Sequence, residues 1–262
     1  MLQQQLKGYA RLDAPATRVQ PIPFSLLAHS VTYAITPLDR ATADMAIIGF
    51  FFLLRPGEHT HSSPTADSHP FRLCDITFRI GATTVSAATG NPLLFQRATF
   101  VALTFTRQKN GTENEVVGHA RSGHSAVCPV LAITRRCLHL RQHHSPPITP
   151  LCSVYVNPPT ASFITPHLLT LHLRRSATLL FPTLGFDPLH VSARSLRAGG
   201  AMALLCAQVD TDVIKLIGRW RSDEMLRYLH LQAYPQMRNM APLMARGGQF
   251  RNHVPPPDPT IL

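Results

Sequence analysis

Five cationic side chains, one carboxylate and one phenol stand in this sequence at spacings that would let them handle a phosphate. Arg55 directly follows an apolar run, in LLRPGE, and Glu58 three residues on is placed to hold its guanidinium in one orientation. A preorganised arginine of that kind suits an oxyanion, whose oxygens match the planar fork of the guanidinium. An ordinary ion pair at a helix end has the same sequence. Further along, RSLRAGGA sets Arg194 and Arg197 three apart, so that they share a helix face. Like charges at that spacing repel by about 0.2–0.5 kcal/mol unless an anion lies between them. Gly199 and Gly200 follow inside the helical pattern, each about 1 kcal/mol less favourable there than Ala. Such a helix usually meets a close backbone, a ligand or a neighbouring helix, so an anion site and a solvated face both fit Arg194 and Arg197.

A third string, LIGRWRSDEMLRYLH, carries Arg219, the only tryptophan (Trp220), Arg221 and, eight residues after Trp220, Tyr228. Half-buried packing is the ordinary fate of such a tyrosine. Its reactive alternative needs an electropositive pocket, because a phenol of pKa about 10 is a poor nucleophile until cations favour the phenolate. Lys109 stands beside Asn110-Gly111 in QKNGTENEVVGH, a dipeptide that favours a tight hairpin turn because both residues tolerate positive φ. Other chemistries are weaker. His139 and His143 have the i, i+4 spacing of a helical ligand pair, and His59, His61 and His69 crowd one loop. Neither group has a Cys or carboxylate at a recognised ligand spacing, so no metal is expected. The sequence also contains no G-x-S-x-G and no P-loop.

The chain around these residues has 262 positions, 45% of them hydrophobic, enough for one good core with room for a small appendage. Lys and Arg number 25 against 14 Asp and Glu, and 25 − 14 gives +11. That excess favours a polyanionic partner, without separating nucleic acid from an anionic membrane surface or simple solubility. The longest apolar run, MAIIGFFFLL from Met45 to Leu54, is about half of the roughly 20 residues a bilayer needs, so no membrane span is expected. The first residues, MLQQQLKGYARLD, lack the apolar stretch and cleavage site of a secretory signal. Cys74, Cys128, Cys137, Cys152 and Cys206 form an odd, scattered set without C-x-x-C. They read as reduced, mostly buried thiols of an intracellular protein.

Patterning supplies the elements that must position the candidates. The first twelve residues look like the end of a helix continued from upstream, followed by a Pro-rich linker to Pro23. Apolar spacing predicts helices over 24–35 and 38–54, the second closed by Pro56-Gly57. FRLCDITFRI, ATTVSAA and ATFVALTFT read as strands of a small antiparallel sheet. Helices are expected over 128–143, 166–180, 192–208, 212–219, 223–232 and 235–245, and the final RGGQFRNHVPPPDPTIL reads as a disordered tail.

Taken in order, LLRPGE, QKNG, RSLRAGG and LIGRWRSDEMLRYLH, with ten residues from Gly218 to Tyr228, resemble the catalytic domain of the tyrosine recombinase (phage integrase) family. The flavour is that of its eukaryotic transposon-borne branch, the Crypton-like and DIRS-like recombinases. The resemblance covers about residues 20 to 245. It implies a mainly α (α+β) fold, a helical catalytic domain with a small antiparallel sheet and hairpin. Residues 1–20 would be a stub of an N-terminal core-binding domain and linker, 21–245 the catalytic domain, and 246–262 the tail. It also implies a site-specific DNA recombinase that cuts and rejoins DNA through a 3′-phosphotyrosyl intermediate. By position, Arg55 and Arg197 match the arginines that grip the scissile phosphate, Lys109 the hairpin lysine that protonates the leaving 5′ oxygen, and Tyr228 the nucleophile. Arg194 occupies the slot usually held by a histidine, and Arg219 the slot nine residues before the tyrosine that usually holds His or Trp. Neither guanidinium serves as a base at neutral pH. Glu58, Trp220 and His190, the last off the family's spacing, are accessory candidates. The resemblance implies no metal or nucleotide cofactor, double-stranded DNA as partner, a homo-oligomer on that DNA, and a nuclear location in a eukaryotic host. The alternative is a catalytically inactive, truncated, transposon-derived protein that only binds DNA. A basic RNA-binding protein would explain the charge but not the ordered motifs.

Overall fold

The computed structural model describes residues 19–61, 68–106 and 114–220, all within the unit Met1–Leu229. Among them the architecture is mixed α+β, about 49% helical and 17% strand. No helix among the described residues is long and apolar enough to cross a membrane.

The apolar run is the central element. Helix α1 spans Phe24–Thr32 and α2 spans Pro37–Phe51. Thr36 opens α2 with a reciprocal cap: its hydroxyl accepts from the Asp39 N–H at 3.0 Å, and the Asp39 carboxylate accepts from the Thr36 N–H at 3.2 Å. From Ala41 to Phe50 every residue of α2 is buried, which is why its pattern is apolar all round instead of striped. It packs against α1, against α4 (Pro129–Gln142), α5 (Pro166–Leu179) and α7 (Arg194–Cys206). Met45, Ile47, Ile48 and Phe50 fill that centre, each large side chain contributing about 1.5–3 kcal/mol by leaving water.

The expected stop at Pro56-Gly57 comes earlier and takes another form. Helix α2 ends at Phe51, Leu53 turns into the left-handed region with φ 50°, and the Leu54 N–H bonds back to the Gly49 carbonyl at 3.0 Å. This is a Schellman-type end with Leu where Gly is usual. Pro56 then opens a short helix, α3 (Pro56–His59), since a proline suits a first helical turn as well as it ends the previous one.

The three apolar stretches form strands β1 (Ile76–Ile80), β2 (Thr83–Ser86) and β3 (Phe100–Phe105), joined by β4 (Glu115–Ala120) in an antiparallel sheet of order β2-β1-β3-β4. Pairing of β3 with β4 runs from Phe100↔Ala120 to Phe105↔Glu115, so the two are the arms of the predicted hairpin. Its loop, with Lys109, lies outside the described residues. The sheet buries Ile76, Phe78, Val101, Leu103 and Phe105, and His119 of β4 meets Phe52 edge-on at 4.6 Å, tying the hairpin to the end of α2. A second pair, β5 (Ser153–Asn157) with β6 (Thr160–Phe163), goes beyond the sequence reading. SVYVN carries the β-branched signal, but the prolines around it read as a break.

After α5 come a short helix α6 (Phe181–Leu184), α7 and α8 (Thr211–Gly218). Gly199 and Gly200 of α7 sit where the helix touches its neighbours. A Cβ on Gly199 would lie 2.4 Å from the Ile22 carbonyl oxygen, and one on Gly200 would lie 2.2 Å from that of Phe50. Backbone approach, not a ligand, accounts for the paired glycines.

Candidate functional site

Two helix ends meet at the centre of the site. Helix α8 ends like α2: Arg219 takes φ 57°, its N–H bonds to the Leu216 carbonyl and the Trp220 N–H to the Lys215 carbonyl, both at 3.0 Å. The carbonyls of a last helical turn have no helical partner and carry the negative end of the helix dipole. Here guanidinium groups take them up. Arg197 Nη1 donates to the Leu53 carbonyl at 2.8 Å and Nη2 to the Gly218 carbonyl at 2.7 Å, joining both helix ends from α7. Arg219 Nη1 donates to Ile217 at 2.9 Å and Phe52 at 3.3 Å, and Nη2 to Leu53 at 3.4 Å.

Glu58 is the common counter-ion. It is 2% exposed, and its Oε2 accepts from the Arg55 N–H at 2.7 Å and from Arg219 Nη2 at 3.1 Å. Its Oε1 accepts from Arg55 Nη1 at 3.1 Å. Burial alone would push this carboxyl up, but Arg219, Arg197 and Arg55 together with the Arg55 N–H hold it below the usual carboxylate range. Glu115 also acts on Arg219, and three guanidiniums surround Glu58. Two of them are inside the protein, Arg197 at 3% and Arg219 at 5% exposure; the Arg55 side chain, 25% exposed, brings the charge to the surface.

Aromatic rings complete the packing. The Arg197 guanidinium lies 4.0 Å from the Trp220 ring centre and that of Arg219 3.8 Å from the Phe105 ring centre, geometries that stabilise a desolvated cation. Gly218 is required by this fold-back, since a Cβ there would come within 1.6 Å of the Trp220 ring. Next to Glu58, His59 is fully buried. Its Nδ1 is 2.9 Å from the Arg55 carbonyl oxygen, and burial pulls the ring down to about 4, against the opposing effects of that bond and of Glu58. It is therefore neutral at pH 7, with Nδ1 donating to Arg55.

Of the sequence candidates, the structure brings together Arg55, Glu58, Arg197, Arg219 and Trp220. Arg194 is exposed at the first turn of α7 and His190 is exposed before it, so the two arginines of RSLR divide between solvent and interior. Lys109 and Tyr228 lie outside the described residues. Two contributors were not read as part of this site: His59, which the sequence offered only as one of three crowded histidines, and the carbonyls of Phe52 and Leu53, which carry no sequence signal.

The histidine pair on α4 is spent on packing. The Tyr155 N–H donates to His139 Nε2 at 3.0 Å, and the His143 ring stacks on Tyr155 at 4.5 Å. Among the described residues no three His, Cys, Asp or Glu side chains gather as a metal site. Cys128, Cys137 and Cys152 are buried thiols, and burial pushes that of Cys152 up to about 12.

No family model matches the chain, and no curated protein matches it.

Proposed function

We propose that this chain is a DNA strand transferase of the tyrosine recombinase type, probing duplex DNA with the cationic cluster at Arg55. The observation that carries the reading is the convergence of Arg55, Arg197 and Arg219 on Glu58. Segments up to 164 positions apart, 219 − 55, meet in one cationic cluster, and they are segments that the motif order had singled out. Guanidiniums brought together in this way favour the charge that gathers on the equatorial oxygens during phosphoryl transfer. In this reaction the Tyr228 phenol oxygen bonds to the scissile phosphorus as the bond from phosphorus to the 5′ oxygen breaks. The leaving oxygen takes a proton from Lys109 and departs as a hydroxyl, and the phenolic proton passes to solvent. The energy of the phosphodiester is retained in the 3′-phosphotyrosyl bond for religation. The remaining positive charge serves the DNA backbone around the site, in a multimer assembled on paired sites, in the nucleus where the host is eukaryotic.

The test is covalent trapping on a nicked duplex, where the wild-type chain accumulates a DNA adduct and Tyr228→Phe loses it while retaining duplex binding. A second reading has its own support. Arg197 and Arg219 are buried and bonded to main-chain carbonyls, which suits an inactive relative that binds DNA without cutting it. Salt-sensitive binding with no adduct from wild type selects that reading.

A further inference from the structure

We infer that Arg219 is a positioning residue that sets the mutual placement of three candidate segments, and not a ligand of the phosphate. The inference rests on the recombinase reading above. Its first support is conformational. Arg219 holds φ 57° at the end of α8, where glycine sits without strain and other residues pay a steric penalty. Strain of this sort persists when surrounding contacts over-determine the residue. Those contacts are the second support, and each leads to a different part of the site. Through Glu58, at 3.1 Å, Arg219 shares a carboxylate with Arg55. Through the Leu53 carbonyl, at 3.4 Å, it shares an acceptor with Arg197. Through the Phe105 ring at 3.8 Å, and within the electrostatic reach of Glu115, it touches the last paired residues of β3 and β4, the base of the hairpin that carries Lys109. The third support is burial: the side chain is 2% exposed, so DNA at the surface meets Arg55 and not Arg219. A guanidinium in this place fixes the distances among Arg55, Arg197 and the described base of the β3–β4 pair, and a displacement of about 1 Å in a reacting group lowers a rate by about 100-fold.

The variant that isolates this role is Arg219→Gly, which removes the side chain while leaving the residue that a left-handed helix end accepts most readily. Full-length wild type and variant are compared in duplex binding across a salt series and in single-turnover adduct formation on a nicked duplex, with folding checked by circular dichroism. The expected result is an adduct rate lower by about 100-fold, duplex affinity within about threefold and an unchanged salt slope, because no backbone phosphate contact is lost. A residue that merely stabilised the fold would lower binding and rate together. A direct phosphate ligand would reduce the salt slope by about 0.9. Either result, or an adduct rate within tenfold of wild type, overturns the inference alone. A wild-type chain that forms no adduct overturns the recombinase reading and this inference with it. Should Arg219→Gly fail to fold, Arg219→Lys carries the same comparison: it keeps the charge but reaches fewer acceptors, and the rate should fall by at least about tenfold at constant salt slope.

Discussion

Asp44 and Glu58 are both buried carboxylates that face arginines, and their environments push them in opposite directions. Asp44, on α2, accepts from Arg135 Nε at 2.9 Å, and Arg136 lies nearby with its own donors turned to the Leu151 and Ser153 carbonyls. Burial prevails there, and the Asp44 carboxyl rises above its ordinary value despite both arginines. At Glu58 burial is as deep, yet three arginines outweigh it and the carboxyl falls. The first arrangement is a pair whose outer member, Arg135, is half-exposed and gains little from the contact. The second sets three guanidiniums about one carboxylate, two of them inside the protein. The same ion-pair chemistry thus joins α2 to α4 in one place and accompanies the tie between the ends of α2 and α8 in the other.

The strongest way to sharpen that contrast is Glu58→Gln. It keeps the shape and leaves Arg197 and Arg219 buried without their counter-ion, which should destabilise the fold by about 3–5 kcal/mol and lower the melting temperature by roughly 10 °C. Acid should act on the same region. The unfolded His59 ring binds a proton below pH 6.5, whereas the buried ring does so only at about 4. The unfolded state therefore holds more protons in that window, and stability falls as pH drops from 6.5 to 4, by about 3 kcal/mol for this ring. Glu58, lowered from 4.5, adds a further loss below that pH, since its stabilisation is present above 4.5 and disappears as the folded carboxylate is protonated. Melting curves from pH 8 to 4 should decline less steeply for His59→Gln than for wild type, though not flatten, because His139 is also pulled down to about 4. The smallest effect belongs to the other carboxylate. Asp44→Asn should shift stability by about 1 kcal/mol or less, because Arg135 returns to water. Urea denaturation that finds Asp44→Asn as damaging as Glu58→Gln would remove the distinction between the two sites.

Much of this arrangement was legible in the residues. The buried helix from Pro37, the three strands and the helices after Pro129 follow from periodicity and from proline and glycine punctuation, because those signals are local. The tie between Glu58 and Arg55 follows from a spacing of three. The paired glycines of α7 announced a close approach, and the Phe50 and Ile22 carbonyls supply it. What the pattern withheld is the destination of each charge. Arg194 and Arg197 look alike in RSLR, yet one faces water and the other lies between two helix ends, a difference set by the Leu53 carbonyl 144 positions away and the Gly218 carbonyl 21 positions away. Arg219 gives no sign that it adopts a left-handed φ, because Gly218 beside it is the residue one expects there; Trp220, folding back over Gly218, uses that glycine for space. The β5–β6 pair has no counterpart in the sequence reading, which places no element between the helix ending at 143 and the one beginning at 166.

In the proposed reaction the cluster around Glu58 and the phenol of Tyr228 act on one phosphodiester. The most direct measurement is mass spectrometry of the peptide that stays bound to a nicked duplex after denaturation. The predicted result is a single DNA-linked peptide, joined through a 3′ phosphate to Tyr228 and lost in Arg197→Ala. A duplex that binds wild-type protein tightly at low salt and leaves no covalent peptide, or one linked at another residue, contradicts it.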